Sequence, residues 1–192
     1  MSLLLHTCCA PCSTAVVEAL IEGLIEGLNK EKLEPILFWY NPNIHPYTEY
    51  QSRRDSLVNF ARNKGLELIM DDEYGLREFI RALYSRESNE NFQGRRCEFC
   101  YRIRLVRTAR QAAKNGLQFF STSLLASPYQ KHDLIRQIGE ECALEYNVEF
   151  FYWDFRPWFR EGQKKARENG SYMQKYCGCI FSEEERYLNV LR

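Results

Sequence analysis

The chain has 192 residues, with Lys+Arg and Asp+Glu balanced at 26 each. At that length it makes one domain, or one domain with an appendage, and buries roughly 70% of its unfolded surface, so an ordinary core needs no cysteine staples. Balanced charge does not by itself point to a polyanionic partner, and no apolar run approaches the roughly 20 residues of a membrane span.

Met1 to Cys9 carries no basic flank and only a very short apolar stretch, so it reads as a first strand, Ser2 to His6, rather than as a signal peptide. The expected compartment is the reducing cytoplasm. Val16, Val17, Leu20, Ile21, Leu24, Ile25 and Leu28 then recur at helical spacing, with Glu18, Glu22 and Glu26 on the opposite face. Pro35 to Tyr40 is the second predicted strand, and Glu49 to Lys64 a helix closed by Gly65. Leu66 to Met70 is the third strand. A helix-poor stretch is expected from about Ser85 to Gly94, with helix resuming from Tyr101 to Asn115.

Leu117 to Thr122 is the fourth strand, Gln130 to Tyr146 a helix, and Val148 to Trp153 the fifth strand. This alternation argues for a parallel sheet of about five strands with helices on both faces. Beyond Asp154 the chain turns aromatic and basic. It ends in Ser182-Glu-Glu-Glu185, a capping-box pattern that starts a short last helix. In open α/β sheets, ligands bind beyond the carboxyl ends of the strands. Cys8-Cys9, Asn41 to Pro46 and Ser123 to Pro128 all follow predicted strands, so these loops are expected on one edge.

Seven of the eight cysteines fall into three groups: Cys8-Cys9-Ala-Pro-Cys12, Cys97-Glu-Phe-Cys100 and Cys177-Gly-Cys179. In a reducing compartment such groups are ligands or catalysts more often than staples. Adjacent cysteines can each bind a different iron of one cube, and a C-x-x-C supplies two more thiolates. Cys8, Cys9, Cys97 and Cys100 therefore match a [4Fe–4S] ligand set. A tetrahedral four-cysteine zinc is the alternative, although an adjacent pair suits one ion poorly; separate unmetallated thiols are a third. Cys177-Gly178-Cys179 permits a tight, labile disulfide, a pair of ligands to a further metal, or two unrelated thiols in a turn. Cys12 serves the site or only packs. Cys142 shares a helical stripe with Ile135, Ile138 and Tyr146 and is expected to be buried and inert.

Arg95 to Arg110 contains six arginines and one acid, and Arg156 to Lys175 six basic residues and two acids. Trp158, Phe159, Tyr172 and Tyr176 accompany the second stretch, a mixture suited to an RNA backbone with a stacked base or else to a solvated helix face. His45 is a polar contact to substrate in one reading. His6, His45 and His132 otherwise read as hydrogen-bonded structural residues. Asp133 and Asp154 lie near predicted strand ends and serve as acids, ligands, caps or surface charges.

Taken together, His6-Thr-Cys8-Cys9-Ala-Pro-Cys12, Asn41-Pro-Asn-Ile-His-Pro46, Arg96-Cys97-Glu-Phe-Cys100-Tyr-Arg102, Ser127-Pro-Tyr-Gln130 and Tyr176-Cys-Gly-Cys179 resemble the QueH family of epoxyqueuosine reductases nearly end to end. The resemblance implies a cytoplasmic oxidoreductase of tRNA modification that reduces epoxyqueuosine at the wobble position to queuosine. It implies a [4Fe–4S] cluster on Cys8, Cys9, Cys97 and Cys100, with Cys177 and Cys179 as the redox-active pair. An additional iron at Cys177 and Cys179 is the alternative to a cycling disulfide. The implied partners are epoxyqueuosine-bearing tRNA and an external electron donor, with no membrane. The fold expected is a Rossmann-like (HUP-type) α/β sheet in a single domain, with residues 154–192 a Cys-rich helical extension over the metal site. Two rivals stand: an adenylylsulfate-reductase-like enzyme, weakened by the lack of a Gly-rich phosphate loop, and a zinc-stabilised RNA-binding module.

Overall fold

The computed structural model of the protein describes residues 1–23, 25, 33–84 and 92–188. Among the described residues five strands are formed: β1 (Ser2–His6), β2 (Glu34–Trp39), β3 (Leu68–Met70), β4 (Phe119–Thr122) and β5 (Glu149–Phe150). They make one all-parallel sheet in the order β3-β2-β1-β4-β5. β1 is central, and its Leu3-Leu4-Leu5 run is fully buried. A parallel strand covered on both faces needs such a continuous apolar run, and each leucine contributes about 1.5–3 kcal/mol of burial.

The helices are α1 (Ala10–Ile21), α2 (Tyr47–Lys64), α3 (Leu76–Tyr84), α4 (Phe92–Lys114), α5 (His132–Tyr146), α6 (Phe159–Glu168) and α7 (Ile180–Leu188). α1 packs on α2 and α6, and α4 packs on α5. Parallel crossovers are right-handed. The chain reverses direction across the sheet between β1 and β4, so α1 with α2 and α4 with α5 cover opposite faces. No helix among the described residues is long and apolar enough to cross a membrane.

The strands and the central helices lie where the apolar spacing puts them, with no end shifted by more than three residues. Gly65 closes α2 in the left-handed conformation, at φ 65°. Larger differences have physical causes. α1 stops at Ile21 although the apolar spacing continues; Ile25 still packs into the core, and Leu24 and Leu28 lie outside the described residues. α4 begins at Phe92 rather than Tyr101, so Cys97 and Cys100 sit inside a helix. Of the stretch expected to be helix-poor, 85–91 lies outside the described residues and 92–94 is helical. α7 begins at Ile180, two residues before the expected cap. Ser182 is in its first turn and donates back to the Cys179 carbonyl, 2.7 Å away, instead of capping from outside.

α6 falls within the helical extension expected for residues 154–192, where no helix bounds were read, and it packs the C-terminal part against α1. Gly162 allows the approach: a Cβ built there would lie 2.6 Å from the Ala15 Cβ and 2.9 Å from its backbone. Gly162→Ala is therefore expected to push α6 off α1, cost about 1–3 kcal/mol and lower the melting temperature by several degrees. An unchanged calorimetric midpoint would contradict this packing.

Candidate active site

The carboxyl edge of the sheet has its switch point between β1 and β4, where outgoing loops part and leave a crevice. Cys8 and Cys9 leave β1 at that point. The Cys8 amide donates to Ser123 Oγ, 3.4 Å away, just beyond β4. Cys9 is the N-cap of α1, and proline in the first turn suits the helix start. The Cys8 and Cys9 sulfurs are 3.8 Å apart. Cys12, one turn along α1, joins them: hydrogen bonds from Cys12 and then Cys9 hold the Cys8 thiol well below its ordinary pKa. Its contacts with Cys8 and Cys9, together with burial, push Cys12 itself well up. For Cys9 the hydrogen bond from Cys12 pulls down, but Cys8 and burial outweigh it and the thiol is raised.

Gln174 closes this group from the C-terminal part, donating Nε2 to Cys9 Sγ at 2.9 Å and to Cys12 Sγ at 3.9 Å. Nothing in its sequence neighbourhood marks Gln174 as a site residue.

Cys97 and Cys100 are three residues apart on α4, hence on one face. Cys100 packs with Phe79 and Leu83 in a small second core, and burial raises its thiol. The thiols of Cys179, Cys177 and Cys97 are close enough to raise it further, while Arg104 pulls it down. Arg104 lies one turn on, donating Nε to the Cys100 carbonyl at 2.8 Å and Nη2 to Cys100 Sγ at 3.1 Å. The Ser127 to Gln130 loop ties α4 to the third cysteine group. Tyr101 donates its hydroxyl to Gln130 Oε1 at 2.9 Å, and Gln130 Nε2 reaches Cys177 Sγ at 3.6 Å.

Cys177-Gly178-Cys179 is held by its backbone. Arg53, buried in α2, donates to the Cys177 and Tyr176 carbonyls, each at 2.9 Å, and pairs with buried Glu49. The His45 amide donates to the Gly178 carbonyl at 2.8 Å, and the Tyr176 hydroxyl donates to the His45 carbonyl at 2.6 Å. Gly178 adopts φ 125°, and a Cβ there would lie 3.0 Å from Arg53 Nη1 and 3.2 Å from Ile44 Cγ1. The turn therefore needs glycine for both conformation and space. Cys177 keeps solvent access, yet desolvation by its close surroundings raises its thiol. Cys179 Sγ lies 3.4 Å from Ser182 Oγ. All eight cysteines are free thiols.

The three groups thus meet at one edge. No three or more Cys, His, Asp or Glu side chains among the described residues converge tightly enough to hold a single metal ion. Cys142 stays apart, buried on α5, with its thiol pushed up to about 11 by burial. Cys142→Ala or Cys142→Val is expected to leave iron content and activity unchanged and to cost about 1 kcal/mol of stability. Iron analysis and thermal melting check this, and loss of iron from a folded variant would place Cys142 in the site.

His6 and His132 are hydrogen-bonded within the fold, while the half-buried His45 ring lies with Nε2 3.9 Å from a Glu183 carboxylate oxygen. His6 is buried between Thr122 Oγ1 at 2.9 Å and the Tyr40 carbonyl at 3.3 Å, and burial lowers its pKa to about 4. His132 Nε2 lies 3.3 Å from the Ser127 carbonyl. Asp154 accepts from the Arg156 amide at 3.0 Å and pairs with its guanidinium, a local cap.

The Arg95 to Arg110 run does not form the basic face read from the sequence. Arg96 pairs with Glu185, Arg102 with Glu141, and Arg107 with Asp71, while Arg104 is buried. Helical periodicity sends three of the six cations to different neighbours, while Arg95 and Arg110 remain exposed. In the second stretch Arg156, Arg160, Lys164, Arg167 and Lys175 remain exposed.

Comparison with known proteins finds similarity over nearly the whole chain. The family model described as "Epoxyqueuosine reductase QueH" matches residues 3–185. An epoxyqueuosine reductase QueH of Dehalococcoides mccartyi is 36% identical over 185 residues, covering 96% of this chain and 94% of that protein. One of Thermotoga maritima is 37% identical over 190 residues, covering 96% and 92%. One of Acinetobacter baylyi is 35% identical over 185 residues, covering 94% and 79%. With its thiol groups gathered at the switch point of a parallel sheet and this likeness from end to end, the chain belongs to the QueH family of epoxyqueuosine reductases.

Proposed function

We propose that this oxidoreductase of queuosine biosynthesis removes the epoxide oxygen of epoxyqueuosine in tRNA, with a [4Fe–4S] cluster held by Cys8, Cys9, Cys97 and Cys100 and with Cys177 and Cys179 as the redox pair. The observation that carries the reading is the meeting of the cysteine groups from β1–α1, α4 and the C-terminal loop at one sheet edge. The residues fit such a cluster chemically. The donors are thiols alone, supplied from two segments, and buried Arg104 beside them calls for an anionic partner. When bound, the cluster would supply one-electron transfer.

The reaction consumes two electrons and two protons. Both epoxide C–O bonds break, a C=C bond forms, and the oxygen leaves as water. Oxidation of the Cys177 and Cys179 thiols to a disulfide releases that number of electrons and protons, and an external donor restores the thiols. Gly178 permits the tight i,i+2 geometry, and Arg53 with His45 fixes the backbone on either side. Cys177 is exposed, so substrate can approach it from solvent. A second reading, in which Cys177 and Cys179 ligate a further iron, is favoured by the same pairing. Exposed cations of the second basic stretch, with Tyr129 standing out beside Gln130, suit the phosphates and a base of tRNA. The C-terminal residues from 154 onward act as the cover of the site through Gln174 and the cysteine pair.

Iron and acid-labile sulfide analysis after anaerobic reconstitution tests the cofactor. About four of each per chain is expected. Stoichiometric zinc without sulfide would overturn the reading.

A further inference from the structure

Among the described residues two arginines are fully buried, and the fold treats them differently. Arg53 and Arg104 are each 1% exposed. Arg53 has a buried carboxylate beside it, with Glu49 Oε1 2.6 Å from its Nη2. Arg104 has no carboxylate within ion-pair distance among the described residues. Its hydrogen bonds go to the carbonyl and sulfur of Cys100, and its guanidinium lies 5.8 Å from the Tyr101 ring centroid. The groups that act on its charge are, after burial itself, Cys100, Cys177, Cys8 and Tyr101. These include one thiol from each cysteine group. A buried guanidinium cannot shed its proton, and an unpaired buried charge is strongly destabilising. A fold that leaves one uncompensated has its counter-ion elsewhere.

We infer that Arg104 is the built-in countercharge of the thiol site, a positioning residue that compensates the negative charge of the thiolates with the group they hold and raises that group's reduction potential. The register supports this. Cys97, Cys100 and Arg104 follow at i, i+3 and i+7 on α4, one stripe of one helix. The guanidinium grips Cys100 at both backbone and sulfur, which fixes the sulfur's direction. Hydrogen bonds and charge at cluster sulfurs set reduction potentials, and a nearby cation favours the reduced, more negative state.

The inference rests on the cluster reading only for the potential. The countercharge itself is read without metal. The test compares wild type with Arg104→Met and Arg104→Lys. Thermal melting is measured on chelator-treated and on anaerobically reconstituted protein, and the midpoint potential by titration of the visible absorption. Metal-free Arg104→Met is expected to melt at or above metal-free wild type, since an uncompensated charge is gone, while reconstituted Arg104→Met melts below its wild-type counterpart. The one-electron reduction equilibrium of Arg104→Met is expected to fall tenfold or more, about 59 mV. Arg104→Lys, which keeps the charge but not the fork, is expected to hold a potential near wild type. Failure of Arg104→Met to retain iron while its metal-free form melts normally also supports the inference. Equal destabilisation of both forms, a metal-free Arg104→Met that does not fold, or an unshifted potential in iron-loaded Arg104→Met would each overturn it. Wild type lacking iron and sulfide would instead remove the cluster reading, with the metal-free melting still testing the buried charge.

Discussion

Cys177→Ser and Cys179→Ser are each expected to keep the visible absorption of the cluster and to bind tRNA, yet to lose queuosine formation by on the order of a thousandfold or more. The pair lies outside the proposed ligand set, in a loop whose shape comes from Arg53, His45 and Gly178 rather than from its sulfurs. Serine keeps that backbone and removes only the redox chemistry. The double variant should be little worse than either single one, because groups that act as a unit are strongly non-additive. Single-turnover queuosine yield per intact cluster checks all three. Near-wild-type turnover in either single variant would move the chemistry away from the Cys-Gly-Cys pair. Loss of colour in both would favour the reading in which the pair ligates iron.

The ligand cysteines should fail in a different way. Cys8→Ala, Cys9→Ala, Cys97→Ala and Cys100→Ala are each expected to lose iron, visible absorption and activity together, since three thiolates leave one iron of the cube unheld by protein. Cys12 supplies an internal comparison. It is buried on α1 against Cys8 and Cys9 but lies outside the proposed ligand set, so its replacement is expected to perturb their hydrogen bonding without removing one of the four proposed ligands. Cys12→Ala should therefore retain cluster where Cys8→Ala does not. Iron, sulfide and absorption measured on the same anaerobic preparations decide this. A Cys97→Ala or Cys100→Ala protein with full iron content would show that α4 does not ligate the cluster.

Much of this arrangement is legible in the sequence because it follows local rules. The Leu3-Leu4-Leu5 run, the glycine after Lys64 and the apolar period of α5 specify their elements without help from distant parts of the chain. The placement of Cys8-Cys9 after β1 leads to the crevice through the geometry of parallel sheets alone. What escapes the sequence depends on tertiary partners. α6 is strongly polar and packs on α1 through Gly162; the residues it buries, Gly162 and Ala166, stand at helical spacing but are too small to give a strong apolar signal. α3 is short and follows a turn-rich stretch, and Phe79 and Leu83 find their core only against Cys100.

The same holds for the site's supporting residues. Arg53 and Arg104 look like surface cations in a charged helix, and only the fold shows that both are buried beside cysteines. Gln174 stands in a polar segment far from Cys9 in sequence, and only closure of the C-terminal part brings its amide onto that sulfur. The Arg95 to Arg110 run shows the converse: a cluster in sequence that helix geometry disperses onto Glu185, Glu141 and Asp71.

The central claim is that the thiol-lined edge reduces epoxyqueuosine in tRNA, and nucleoside mass spectrometry tests it most directly. Anaerobically reconstituted protein is incubated with epoxyqueuosine-bearing tRNA and a strong reductant, and the digested nucleosides are compared with a protein-free control. Conversion of epoxyqueuosine to queuosine, with loss of one oxygen atom and dependence on the intact cluster, is the predicted result. Epoxyqueuosine left unchanged by protein of full iron and sulfide content would contradict the account.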